Sequence, residues 1–268
     1  MIKITLLQNN AKLSDKKYNF QNIQNMLSKN LNQQTDIIVL PELFAVGWDC
    51  ESFETQKESG FDNETCKFLE QIARKYNANV LGGSFIRVCE DGCLKNTMPV
   101  FNRNGDLIDY YDKMHLYSYL GDTENKYIKN GKFLKVVEFD VCKAGVSICY
   151  DIRFPEVFRK LALNEADILF NVAAWPESRK NHYITLSKAR AIENQSYFVG
   201  LTQVGPIKNG IYNLGNSLCV DPLGNVLFEL SGKDECIKTF EIDLRKQYEL
   251  RNKVKTLNDI HSSYVCTK

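Results

Sequence analysis

Cys149 closes the run Gly145-Val146-Ser147-Ile148, and Pro155 follows a short segment later. A strand ending at the cysteine, with a helix opening near the proline, would place the thiol on a strand-to-helix turn. Backbone N–H groups there can face a developing negative charge, and a helix N-terminus depresses a nearby thiol from its usual pKa of about 8.5. A lone cysteine after an apolar strand is more often an inert core thiol, so a nucleophile must find partners. The first is a base. His115 and His182 lie in polar-to-aromatic surroundings without an orienting Asn or Asp signature, which disfavours a Cys–His dyad. Glu42 is the stronger candidate. It follows the apolar run 37–40 through Pro41, and Val39, Leu40, Leu43 and Phe44 could desolvate it and raise its pKa toward that of a working base. Its bland alternative is a solvated carboxylate in the first turn of a helix. Lys113 stands in Tyr110-Tyr111-Asp112-Lys113-Met114-His115-Leu116-Tyr117. Most lysines are surface charges, but a buried ammonium among aromatics needs a negative partner. An active site supplies two, Glu42 at rest and an oxyanion in the transition state.

The elements that must position these residues alternate in type. Residues 2–7, 36–40 and 79–86 read as strands, the latter two apolar enough to be buried on both faces. Residues 18–27 and 65–76 read as amphipathic helices. Residues 97–102 and 107–111 flank an Asn-Gly turn and form a hairpin. Further strands are expected at 133–139, 144–149, 167–172 and 197–203, with helices at 155–163 and 182–194. A second hairpin spans 217–220 and 226–230, strand 236–242 closes the core, and the last 25 or so polar residues run outside it. This pattern predicts one α/β domain with mixed sheets, a layered sandwich rather than an eight-fold barrel.

Length and charge narrow the partners. A chain of 268 residues with 44% hydrophobic residues supports one large core. Thirty-four Lys and Arg against thirty-three Asp and Glu leave a net charge of +1, which argues against nucleic acid or an anionic membrane as partner. A small molecule fits better. No secretory signal and no apolar run long enough to span a bilayer is present, so a cytoplasmic location is expected. The nine cysteines then stay reduced. Cys89 and Cys93 are four apart, but no second Cys pair or His pair follows, so they read as plain thiols and no metal is expected.

Three segments, Leu40-Pro41-Glu42-Leu43, Tyr111-Asp112-Lys113-Met114-His115-Leu116 and Ile148-Cys149-Tyr150-Asp151-Ile152-Arg153-Phe154-Pro155-Glu156, together resemble the nitrilase, or carbon–nitrogen hydrolase, superfamily. Asn171-Val172-Ala173-Ala174-Trp175-Pro176, Ala189-Arg190-Ala191-Ile192-Glu193-Asn194-Gln195 and Asp221-Pro222-Leu223-Gly224 extend the likeness over nearly the whole chain. The resemblance implies a four-layer α-β-β-α sandwich with two mixed sheets, formed by residues 1–245, and a homodimer with the extension 246–268 at its interface. It implies a Glu–Lys–Cys triad of Glu42, Lys113 and Cys149, with Glu124 as a second glutamate and Gly131 at a family-like distance beyond it. It places Lys113 and the backbone N–H of Tyr150 in an oxyanion hole. Asp151 and Arg153 are expected to pair and shape the turn, with contact to a substrate carboxylate as the alternative for Arg153. Arg153, Tyr117 and Trp175 are the expected pocket wall. The implied reaction is hydrolysis of a small amide through a thioester, with water and no cofactor. Cys-Tyr-Asp-x-Arg-Phe is similar to the small-amidase branches; Ala-Ala-Trp-Pro and Ala-Ile-Glu-Asn-Gln most resemble bacterial omega-amidases acting on 2-oxo-dicarboxylic acid monoamides, Arg-Phe-Pro-Glu resembles deaminated-glutathione amidases, and carbamoylases come third. The other class to weigh is a catalytically silent binding protein on the same fold, against which an intact triad argues.

Overall fold

The computed structural model describes residues 1–31, 34–119, 122–208 and 210–261. The first sheet takes strands β1 (Ile2–Gln8), β2 (Ile37–Leu40), β3 (Glu58–Ser59), β4 (Asn79–Gly82), β5 (Phe85–Val88), β6 (Leu94–Phe101) and β7 (Leu107–Asp112). A small ribbon, β8 (Ser118–Tyr119) and β9 (Asp122–Thr123), follows. The second sheet is β10 (Lys135–Glu138), β11 (Lys143–Ile148), β12 (Ile168–Ala173), β13 (Tyr197–Thr202), β14 (Leu218–Val220) and β15 (Val226–Glu229), paired in that order. Strand β16 (Cys236–Ile242) then returns to the first sheet and pairs antiparallel with β1 over its whole length. Both sheets are mixed. β1–β2–β4 and β11–β12–β13 are parallel, and their flanking pairs are antiparallel.

Strand alternation explains the layers. Ile37 and Val39 face one core with Ile2, Ile4 and Leu6 of β1 and with the second sheet, while Ile38 and Leu40 face another with α1 (Lys16–Asn30) and α3 (Glu64–Tyr76). A short α2 (Phe53–Gln56) precedes α3. On the second sheet α4 (Pro155–Leu163) and α5 (Lys180–Asn194) form the outer layer. Each helix buries the stripe its spacing dictates: Phe68, Leu69, Ile72 and Ala73 in α3, and Val157, Phe158, Leu161 and Ala162 in α4. Asn63 caps α3 by accepting from the Cys66 N–H, and Pro155 opens α4 in its first turn. The result is the α-β-β-α sandwich of two mixed sheets.

Three local expectations need correction. The single strand expected over 79–86 is two, β4 and β5, broken at Gly83-Ser84. Gly83 takes φ +58°, and a Cβ there would lie 2.2 Å from the Pro41 carbonyl oxygen, so only glycine lets the Pro41 loop pass. Strand β6 starts three residues before the expected 97, because Asn96 and Thr97 are buried polar residues with partners rather than loop residues. The C-terminal tail is not wholly outside the core. Helix α6 (Leu244–Lys253) crosses the expected boundary at 245, and its buried Gln247 accepts from the Tyr197 N–H and donates to the Asp167 carbonyl, both at 2.8 Å. Polar side chains dock this helix, so no hydrophobic stripe announces it. Residues 262–268 of the extension lie outside the described residues.

Candidate active site

Four groups gather just past strand ends: Glu42 beyond β2, Lys113 beyond β7, Cys149 beyond β11 and the Ala174 N–H beyond β12. Carboxyl ends of parallel strands are where α/β sheets open to ligands. The backbone is bent hard to present two of them. Cys149 itself has φ +46° and Leu43, next to Glu42, φ +50°, left-handed conformations that a non-glycine residue adopts only under constraint. Cys149 opens a 3-10 helix, Cys149–Arg153, so the strand expected to include it ends one residue sooner, at Ile148.

Glu42, Lys113 and Glu124 are all fully buried, with both carboxylates bonded to the ammonium. Lys113 Nζ donates to Glu42 Oε1 at 2.9 Å and lies 3.0 and 2.9 Å from the two oxygens of Glu124. Glu42 also accepts from Asn96 Nδ2 and from the Ala174 N–H, each at 2.9 Å. Glu124 also accepts from Trp48 Nε1 at 3.1 Å and from the Tyr117 N–H at 2.8 Å. Gly131 holds the lysine segment from behind: its N–H donates to the Lys113 carbonyl at 2.8 Å, and a Cβ on it would lie 2.0 Å from the Asp112 oxygen.

Charge follows from this packing. Burial raises Glu42 above the usual carboxylate value, with Lys113 opposing and Glu124 adding to the rise. Burial also opposes the ammonium of Lys113, but Glu124 and Glu42 outweigh it and hold the charge well into alkaline pH. The thiol runs against the expectation of a depressed pKa. Burial pushes Cys149 well above its ordinary value, the Glu42 carboxylate adds to this, and Lys113 only partly offsets it. A short helical turn cannot compensate for a thiolate removed from water and faced by a carboxylate. The resting group is therefore the neutral thiol, and it needs a base.

Asp151 does not pair with Arg153 as expected. Its buried carboxylate accepts instead from the Tyr111 hydroxyl (2.7 Å), the Ile148 N–H (3.0 Å) and the His115 N–H (2.9 Å), with His115 Nδ1 at 2.8 Å. These bonds tie the residue before Cys149 to residues on both sides of Lys113. They also give His115 the orienting carboxylate that its sequence neighbourhood does not reveal. Its ring stacks on Phe154 at 3.7 Å between centroids.

Above the thiol lies a cavity of about 270 Å³ whose walls include Tyr117, Arg153 and Trp175, the three expected residues. The Arg153 guanidinium lies over Trp175 and Tyr150, at 4.9 and 5.6 Å, with His182 Nδ1 3.4 Å away. Trp48, Arg179, Ile207 and Ile211 also line it. Arg179 donates to the Tyr117 hydroxyl at 2.7 Å, and its carbonyl accepts from Trp175 Nε1 at 3.0 Å. The sequence reading missed Asn96, Trp48 and Arg179. Asn96 had a signal, since asparagine inside a strand is uncommon; it grips Glu42 with its side chain and Lys113 through its carbonyl, also at 2.9 Å. Trp48 and Arg179 lie in loops whose approach is fixed only by the fold.

A buried carboxylate–ammonium–carboxylate cluster thus lies beside a buried thiol at the mouth of a two-sheet sandwich. The profile of the carbon-nitrogen hydrolase family matches residues 3–252. The 2-oxoglutaramate amidase of Bacillus subtilis (strain 168) is 35% identical over 230 residues, 85% of this chain and 86% of that protein. The deaminated glutathione amidase of Dictyostelium discoideum is 30% identical over 259 residues, 91% of this chain and 89% of that one. Saccharomyces cerevisiae Nit3, a member of branch 10 of the nitrilase superfamily, superposes with a TM-score of 0.84 at 27% identity, over 94% of each chain. The chain therefore belongs to the carbon-nitrogen hydrolase family, and it is a hydrolase of carbon–nitrogen bonds other than peptide bonds.

Proposed function

We propose that the protein is an omega-amidase that releases ammonia from a 2-oxo-dicarboxylic acid monoamide through a Cys149 thioester. Glu42 takes the thiol proton as sulfur attacks the amide carbon. The tetrahedral oxyanion is held by Lys113 Nζ and by the Tyr150 N–H, which in the first turn of its helix has no intrahelical acceptor. Collapse expels ammonia with the proton Glu42 returns. Water, positioned by Glu124 and activated by Glu42, then cleaves the thioester to acid and thiol. The observation that carries the reading is geometric: Glu42 and Glu124 share the buried Lys113 ammonium at 2.9–3.0 Å, beside the cavity that Cys149 lines.

The substrate assignment rests on size and charge. A cavity of about 270 Å³ lies just below the roughly 300–1,000 Å³ that accommodates drug-sized ligands. It suits a five-carbon monoamide better than a tripeptide analogue. Arg153 and Arg179 give its wall two cations for a carboxylate, the substrate role that was the alternative for Arg153. The likeness to the 2-oxoglutaramate amidase of Bacillus subtilis points the same way. The reading includes a cytoplasmic homodimer with residues 246–268 at the interface. Among the described residues no helix is long and apolar enough to cross a membrane, and light scattering tests the dimer.

Ammonia release is measured across 2-oxoglutaramate, succinamate, deaminated glutathione, N-carbamoyl amino acids and a simple nitrile. 2-Oxoglutaramate should lead in kcat/KM by at least about tenfold, a discrimination of roughly 1.4 kcal/mol. A lead by deaminated glutathione or a carbamoyl substrate would move the assignment within the family. Undiminished ammonia release by Cys149→Ala would sink the thioester, and no release by the wild type from any of them would favour a silent binding protein.

A further inference from the structure

Outside the cavity, the turn joining β5 to β6 carries a second cluster of reactive side chains. One donor atom from each of Cys89, Asp91 and Cys93 falls within 4.8 Å of the other two. The hairpin makes the arrangement specific. Cys89 N donates to the Cys93 carbonyl at 2.8 Å and Gly92 N to the Cys89 carbonyl at 2.9 Å, so the cysteines face each other across the neck of the turn. Residues opposed in this way direct their side chains to one face. Asp91 bends back over them, accepting from the Cys93 N–H at 3.1 Å. The flanking cations do not take the carboxylate: Arg87 and Lys95 are bound to Asp112 at 2.9 and 3.0 Å.

The geometry points to a zinc-class metal site on this turn, with Cys89, Cys93 and Asp91 as ligands and a fourth position open to water. Sequence spacing alone set zinc aside because no second Cys or His pair follows; the fold brings a carboxylate instead. Zinc–sulfur bonds of about 2.3 Å and zinc–oxygen bonds of about 2.0–2.2 Å place tetrahedral donors roughly 3.5–3.8 Å apart. The cluster reaches that spacing by side-chain rotation, since Asp91 is exposed and both thiols are half-buried. Two thiol protons leave to solvent as the two metal–sulfur bonds form. Two soft thiolates favour zinc over magnesium or calcium, and three protein ligands at the surface make the ion exchangeable.

The test uses the reduced full-length chain in a Cys149→Ala background, so that the active-site thiol cannot compete. Cobalt(II) is titrated for its thiolate charge-transfer band and then displaced with zinc. One equivalent is expected. Cys89→Ser and Cys93→Ser should each weaken zinc binding by at least about tenfold, about 1.4 kcal/mol, and Asp91→Asn should weaken it measurably with the sulfur band retained. In the otherwise native chain, Cys89→Ser should leave amide hydrolysis unchanged. Absence of the band, or its survival in the Cys89→Ser/Cys93→Ser double variant, overturns the assignment whatever the amide substrate proves to be.

Discussion

Asp112 precedes Lys113 in the chain and Glu42 meets its ammonium, and the two carboxylates are held in opposite ways. Asp112 meets two cations and a hydroxyl: Arg87 at 2.9 Å, Lys95 at 3.0 Å and Thr97 at 2.7 Å. Burial works against its charge, but these partners outweigh burial and hold it below the usual carboxylate range. Glu42 must share one cation with Glu124, in complete burial, and is held above that range. A surplus of positive charge makes a fixed ion pair. Two carboxylates around a single buried ammonium leave one negative charge without a cation of its own. At Asp112 three partners outweigh burial, whereas at Glu42 complete burial outweighs its share of a single cation.

The sharpest way to break this contrast is Glu42→Gln. It should lower kcat by about 100–10,000-fold, the usual contribution of a general base. Its melting temperature at neutral pH should be no lower than that of the wild type. The sign comes from linkage: a raised folded pKa contributes stability fully present below the unfolded value and lost as pH rises through the folded one, so a permanently neutral isostere removes that loss. A clear drop in melting temperature would show that Glu42 is a bracket like Asp112. Lys113→Met should cost about 100–1,000-fold in kcat as an oxyanion donor is removed. It should also cost about 3–5 kcal/mol in urea denaturation, because two buried carboxylates are left without their cation.

Asp112→Asn is the mirror experiment. It should destabilise the fold by about 1–3 kcal/mol, leaving Arg87 and Lys95 underpaired, with less than about a tenfold change in kcat. Because the folded pKa of Asp112 is lowered, its contribution is present above the unfolded value of 3.8 and lost as pH falls through the folded one. The variant should therefore flatten the acid limb of melting temperature against pH. The smallest effect is on the activity profile. The acid limb of kcat/KM should fall above pH 4.5, the ordinary value for glutamate, and belong to the Glu42–Cys149 pair jointly. A limb at or below 4.5 would mean that Glu42 is no more perturbed than a surface carboxylate.

Much of this was legible in the sequence because its signals are local. The run Ile37-Ile38-Val39-Leu40 can only be a buried strand, so Pro41 and Glu42 must emerge at a sheet end. Cys149 follows the buried strand β11, while Lys113 is placed by the hairpin that Asn104-Gly105 turns. The partners were harder. Asp151 and His115 are 36 residues apart and Asn96 and Glu42 are 54 apart, so nothing in either neighbourhood announces the bond. The break at Gly83 needs knowledge that Pro41 passes within reach. The sign of the Cys149 shift needs the depth of burial, which sequence pattern does not supply; a strand-to-helix turn is compatible with either sign.

The pairing of β1 with β16 has a consequence for how the chain is made. Ile2 stands opposite Ile242 and Gln8 opposite Cys236, and the Thr5 and Thr239 hydroxyls meet at 2.8 Å across 234 positions. On a ribosome adding about 5–20 residues per second, the first strand emerges early and waits at least about ten seconds for its antiparallel neighbour. Throughout that interval one edge of β1 is open to any other strand. A nascent chain stalled before residue 236 would carry Glu42, Lys113 and Cys149 already synthesised, with the edge beside β1 still unclosed. Emergence of β16, rather than of the last site residue, is then the event that completes this sheet.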